Sequence, residues 1–130
     1  MTIRPATELD RLALLVLVDQ CGLRDPLLDY TDYTPPVFVA EDDGAVVGFV
    51  QARLGLPATV ITDFAVAREY EHRGIGQALV AAVEDTMRAQ GLTAWVACVA
   101  NGRPRVQHMA EQWGALPRAE ARTYVKVIGR

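Results

Sequence analysis

A chain of 130 residues, 51% of them hydrophobic, with 13 Lys plus Arg against 16 Asp plus Glu, carries a net charge of −3. That length suits one domain over residues 1–130, with a core that needs no disulfide staples. The acidic balance argues against a nucleic-acid binder working through Arg103, Arg105, Arg118 and Arg122. The apolar run at residues 12–18 is far shorter than the roughly 20 residues of a membrane span. Acidic residues near the start, in place of a basic leader region, point to a soluble cytoplasmic protein. The two cysteines, Cys21 and Cys98, form no metal or redox spacing and read as small buried apolar residues.

In chain order, residues 2–5 read as a short strand closed by Pro5. Thr7 reads as an N-cap, with Asp10 three residues on as the acidic partner of an imperfect capping box. The helix that follows runs to about Gln20, and its apolar centre from Leu12 to Val18 is expected to be largely buried. Residues 25–33 are a short helix or an irregular loop, ended by Pro35-Pro36. The period then changes to two. Strands are expected at residues 37–41, 46–54 and 59–67, with Asp42-Asp43-Gly44 as a hairpin turn between the first two. Residues 76–90 return to a helical period, with Ile75, Leu79, Ala82, Val83, Thr86 and Met87 on one face and Glu84, Asp85 and Arg88 opposite. Gly91 ends that helix. Residues 92–100 fit a strand buried on both faces. A helix at residues 104–113, stopped by Gly114, and a last strand at 124–128 complete an α/β pattern: a mixed sheet with helices on both faces.

Residues 62–91 carry the chemistry. A strand leads through a loop to Arg73-Gly74-Ile75-Gly76 at the start of a helix. First-turn N–H groups of a helix lack internal partners and, with the helix dipole, favour an anion. Glycines let a phosphate approach the backbone, and Arg73 can add a charge-assisted hydrogen bond. Taken alone, the two glycines equally describe a turn that packs a helix onto a sheet. A dinucleotide fingerprint fits worse, because Gly74-Ile75-Gly76-Gln77-Ala78-Leu79 lacks the third glycine and the hairpin before it is not a βαβ start; no GxxxxGK[ST] loop exists.

Thr62-Asp63-Phe64-Ala65-Val66, followed by Arg68-Glu69-Tyr70-Glu71-His72-Arg73-Gly74-Ile75-Gly76, resembles the GNAT acetyltransferase superfamily. In that family a strand ending "DLAV" meets "PEYRGRGIG" and an amphipathic helix. Ile3-Arg4-Pro5-Ala6-Thr7, Val46-Val47-Gly48-Phe49, Asn101 and Trp113-Gly114-Ala115 extend the likeness over nearly the whole chain. The resemblance implies a GNAT-like N-acyltransferase fold with a splayed sheet, and acetyl-CoA as co-substrate. It implies that backbone groups of His72, Arg73, Gly74, Ile75, Gly76 and Gln77 hold the pyrophosphate. Phe64, Ala65 and Val66 would pair with pantetheine, the Val66 N–H would face the thioester oxygen, and Asn101 would join the cofactor-binding set. The acceptor would be a primary amine, of a small molecule or a protein, attacking the thioester directly.

The chain departs from the family's pattern at three places. Position 71 is Glu where Gln or Arg is usual, and position 68 is Arg where Pro is frequent. The Tyr that many members carry four residues before the closing Gly falls on Ala110, which cannot donate a proton; counting forward from Asn101 gives His108 instead. Asp63 is the candidate base, alternatively a structural carboxylate, and His108 the candidate acid, with Tyr124 a substitute. These departures keep a non-catalytic acyl-CoA-binding module as the alternative. Residues 21–36, holding Asp25, Asp29, Asp32, Tyr30 and Tyr33, are expected at the acceptor side, where the acids suit a cationic amine or simply form a solvated loop. No metal and no membrane partner are expected, and a homodimer is left open.

Overall fold

The computed structural model describes residues 1–20, 36–98, 111, 116–118 and 123–128. Strand β1 (Thr2–Pro5) leads through a 3-10 turn (Glu8–Asp10) into helix α1 (Arg11–Gln20). Strands β2 (Val37–Asp42), β3 (Ala45–Arg53) and β4 (Thr59–Val66) follow. A second 3-10 turn (Arg68–Tyr70) precedes helix α2 (Ile75–Ala89), and β5 (Ala94–Cys98), β6 (Leu116–Arg118) and β7 (Thr123–Val127) complete the sheet. The seven strands lie in the order β1-β2-β3-β4-β5-β7-β6. Every neighbouring pair is antiparallel except β4 and β5, which run parallel. This is the mixed sheet read from the sequence, with element ends shifted by a residue or two. Of the helix expected at residues 104–113, only Glu111 lies among the described residues, and it is helical.

The alternating apolar strands bury both faces of the sheet. On one face Val50, Ala52 and Ile61 pack with Ile75, Leu79, Val83 and Met87 of α2 and with Trp95. On the other, Val37, Val39, Phe49, Ala65 and Ala67 pack with Leu14 and Leu17 of α1. Gly48 sets how closely α2 approaches. A Cβ there would meet the Ala65 carbonyl oxygen at 3.2 Å, Leu79 Cδ1 at 3.3 Å and Ile75 Cγ2 at 3.4 Å. The β2–β3 turn has positive φ at both Asp43 (50°) and Gly44 (83°), the hairpin geometry that Asp-Gly favours.

Two expectations are corrected. Helix α1 is not buried all round: Leu14 and Leu17 are enclosed, but Leu12 and Val16 are 73% and 49% exposed. A helix lying on one face of a sheet encloses one side, whatever the composition of the other. Glu84 does not sit on an exposed face of α2. It is buried, accepting a hydrogen bond from Trp95 Nε1 at 2.9 Å and pairing with Lys126 Nζ at 2.6 Å.

Candidate active site

Among the described residues, strand β4 pairs with β5 from Thr59 to Ile61, opposite Trp95 to Ala97, and β4 itself continues to Val66. Its antiparallel pairing with β3 persists along that stretch, with Val66 opposite Gly48 and Ala65 opposite Phe49. Thr62 is an extra residue in β4, because Ala52 pairs Ile61 while Gln51 pairs Asp63. Such a bulge bends the strand and increases its twist. Here it directly follows Ile61, the last β4 residue paired with β5 among the described residues. The bulge also exchanges faces: Ile61 packs toward α2, but beyond it Phe64 and Val66 do so, while Ala65 and Ala67 turn toward α1.

The direction of the backbone follows from one bond. The Ala67 N–H donates to the Val47 carbonyl at 2.8 Å, so it points at β3. Successive N–H groups of a strand alternate sides. The Val66 and Phe64 N–H groups therefore point away from β3, toward the side on which β5 lies.

Beyond Ala67 the chain turns sharply to reach α2. Tyr70 N–H donates to the Ala67 carbonyl at 2.9 Å and Glu71 N–H to the Arg68 carbonyl at 3.2 Å, closing the 3-10 turn. Glu71 is half-buried, directly before His72. His72 and Gly74 both adopt positive φ, 65° and 77°. At Gly74, the residue preceding α2, that conformation is what requires glycine, since an added Cβ would meet nothing within 4 Å. The first bond of α2 is from Ala78 N–H to the Gly74 carbonyl at 3.0 Å, so the amides of Ile75, Gly76 and Gln77 precede any helical acceptor. The first turn of α2 holds no acidic residue. His72, Arg73, Gly74 and Gln77 are exposed, while Ile75 and Gly76 are buried against the sheet. The Arg73 guanidinium lies 4.9 Å from the centre of the Tyr70 ring. The Asp42 carboxylate, at the end of β2, raises the pKa of the Tyr70 hydroxyl above the ordinary phenol value.

Asp63, the sequence's candidate base, follows the bulge and is half-buried. Burial raises its carboxyl above the ordinary value of 3.8, and the neighbouring Thr62 hydroxyl pulls the other way. The Thr62 Oγ1 also lies 3.4 Å from the Gln51 carbonyl and side-chain oxygens. The bulge thus gathers Gln51, Thr62 and Asp63 at one point along β4. Asn101 and His108 lie outside the described residues, as do Asp25, Asp29, Asp32, Tyr30 and Tyr33; of Tyr124 only the backbone is described, in β7. Sequence reasoning missed the contacts of Tyr70, whose only signal was an aromatic three residues before an arginine. Among the described residues no group of His, Cys, Asp or Glu could hold a metal ion, and no helix is long and apolar enough to cross a membrane.

Comparison with known proteins bears directly on this arrangement. The ribosomal-protein-S18-alanine N-acetyltransferase of Escherichia coli superposes with a TM-score of 0.84 at 16% identity, over 99% of this chain and 94% of that one. Ard1 from Thermoplasma volcanium gives a TM-score of 0.87 at 18% identity, over 99% and 98%. The PaiA N-acetyltransferase of Thermoplasma acidophilum, in complex with coenzyme A, gives 0.79 at 13%, over 95% of each chain. At such identities these likenesses establish the fold. Among curated protein sequences there is no match. The profile of the Acetyltransferase (GNAT) family matches residues 6–115. With that profile spanning most of the chain and the fold agreeing, this protein belongs to the GNAT acetyltransferase family.

Proposed function

We propose that residues 1–130 form a single N-acetyltransferase domain that moves an acetyl group from acetyl-CoA to a primary amine by direct attack in a ternary complex. The observation that carries this reading is the end of β4, bulged at Thr62, leading through one turn to the α2 N-terminus, where the Ile75, Gly76 and Gln77 amides precede any helical acceptor. Pantetheine would add to the Phe64–Val66 stretch as a short extra strand. The pyrophosphate would meet the Ile75, Gly76 and Gln77 amides and the Arg73 side chain, with backbone from His72 and Gly74 shaping the turn. The amine nitrogen would attack the thioester carbon, with the Val66 N–H facing the developing oxyanion. Asp63 would accept the ammonium proton, directly or through a water. The carbon–sulfur bond then breaks, and the departing thiolate takes a proton, for which His108 is the candidate donor. The CoA-bound neighbour supports the donor; the acceptor is open between small-molecule and protein amines.

Thiol release from acetyl-CoA across a panel of amines, including a peptide with an N-terminal alanine, tests the reaction. Calorimetry of wild type against Gln77→Glu tests the binding site. Gln77 is exposed in the first turn of α2, where an acid complements the dipole and leaves the free protein at least as stable. The expected result is acetyl-CoA binding weakened by roughly threefold to tenfold, with the difference shrinking as salt rises. Equal affinity at low salt removes the pyrophosphate from this helix end. Tight binding without thiol release on any amine leaves an acyl-CoA-binding module in place of an enzyme.

A further inference from the structure

Tyr70 is held by both its ring and its backbone. Its ring packs against both hydrophobic clusters, the one under α2 and the one under α1. Its backbone closes the 3-10 turn on Ala67, the residue that follows β4. The remaining ring face carries the Arg73 guanidinium at 4.9 Å. Arg73 is otherwise an exposed side chain in a turn, one residue before the αL glycine that opens α2. An arginine on an aromatic face is attracted by the ring quadrupole and keeps its N–H edges outward for an anion.

We propose that Tyr70 is a positioning residue of the acyl-donor site, wedged between the two hydrophobic clusters and confining Arg73 beside the first-turn amides of α2. This rests on the acyl-CoA reading above and adds to it a specific role for a residue that does not touch the ligand. The physical gain is preorganisation. A free arginine loses rotamer freedom when it grips a phosphate; one already stacked loses less, and the saving appears as affinity. The competing account is that Tyr70 only fills the gap between the two clusters. In that case Arg73 and Tyr70 contribute independently.

A double-mutant cycle separates the two accounts, with calorimetric affinity for coenzyme A as the readout. Tyr70→Leu and Arg73→Gln are each expected to weaken binding by roughly threefold to tenfold, and the double variant no more than Arg73→Gln alone. Tyr70→Phe keeps the ring face and is expected to recover most of the loss. Wild-type affinity is expected to fall more steeply with salt than that of Tyr70→Leu, because the leucine variant has lost the held cation. If Tyr70→Leu does not fold, Tyr70→Trp carries the test. It should bind at least as tightly as wild type, and that benefit should vanish in the Arg73→Gln background. Additive losses, or a Tyr70→Trp effect that survives without Arg73, overturn the proposal while leaving the acyl-CoA site standing. A folded wild-type protein that binds no coenzyme A overturns the parent reading together with this one.

Discussion

Asp63 shows how one residue serves stability and chemistry in opposite senses. Its half-burial raises the carboxyl pKa above 3.8, and the Thr62 hydroxyl only partly offsets that. A base whose pKa moves toward neutrality is better matched to taking a proton from an ammonium. The same shift means the folded state binds this proton more tightly than the unfolded chain. The stability it contributes is therefore complete below pH 3.8 and lost as pH rises through the raised folded value. Asp63→Asn should leave the melting temperature at neutral pH equal to or above wild type, with the two converging below about pH 4. The same variant should bind acetyl-CoA and lower kcat by about 10²-fold. A lower melting temperature at neutral pH would mark Asp63 as a structural hydrogen-bond partner instead. The sequence placed Asp63 on the strand that became β4, but not its burial. That depends on the bulge at Thr62, where the alternation of faces changes within one residue.

At the scale of elements, the pattern of apolar residues was enough to locate strands and helices, because periods of two and 3.6 are properties of local backbone. What it did not convey is what each element meets. Thr7 and Asp10 were legible as a cap, and the Thr7 N–H does donate to the Asp10 carboxylate at 2.7 Å. The stronger partner was not: Arg4 grips Asp10 with two bonds of 2.8 and 2.9 Å and reaches Glu41 across the sheet. One guanidinium thus ties β1, the entry to α1 and β2 together. The Arg4 hydrogen bond is the main reason that the Asp10 carboxyl falls from 3.8 to about 2. A depressed carboxyl contributes stability that is present above its unfolded value and lost as pH falls through its folded one. For Asp10 this is worth about 2 kcal/mol at neutral pH. Asp10→Asn should be less stable than wild type by about that amount at neutral pH in denaturant titrations. The gap should narrow between about pH 4 and pH 2. A gap that is constant down to pH 2 would mean that the cost is loss of packing and not of charge. The exposed side of α1 and the buried Glu84 were misread for a related reason: periodicity orders residues around a helix but does not say how wide the covered stripe is.

Across the whole molecule, the sheet is two antiparallel parts, β1 to β4 and β5 with β7 and β6, which meet at a parallel seam of three paired residues among those described. Helix α2 packs chiefly on β2, β3 and β4, and Glu84 reaches from it to the other part, to Trp95 on β5 and Lys126 on β7. Removing one member of a buried ion pair leaves its partner without compensation, whereas replacing both with apolar residues is often nearly neutral. Glu84→Ala should therefore destabilise the protein by about 2–4 kcal/mol, with the indole N–H of Trp95 and the Lys126 ammonium both abandoned. Glu84→Met combined with Lys126→Met should recover most of that, leaving about 1 kcal/mol for the unpaired indole. If the clamp holds the seam, hydrogen exchange in Glu84→Ala should accelerate first in β5 and β7, through openings that leave β1 to β4 protected. Equal acceleration in every strand would show that Glu84 supports the core as a whole. Unchanged stability would show that the seam is held by the apolar contacts of Trp95 and Leu92 alone.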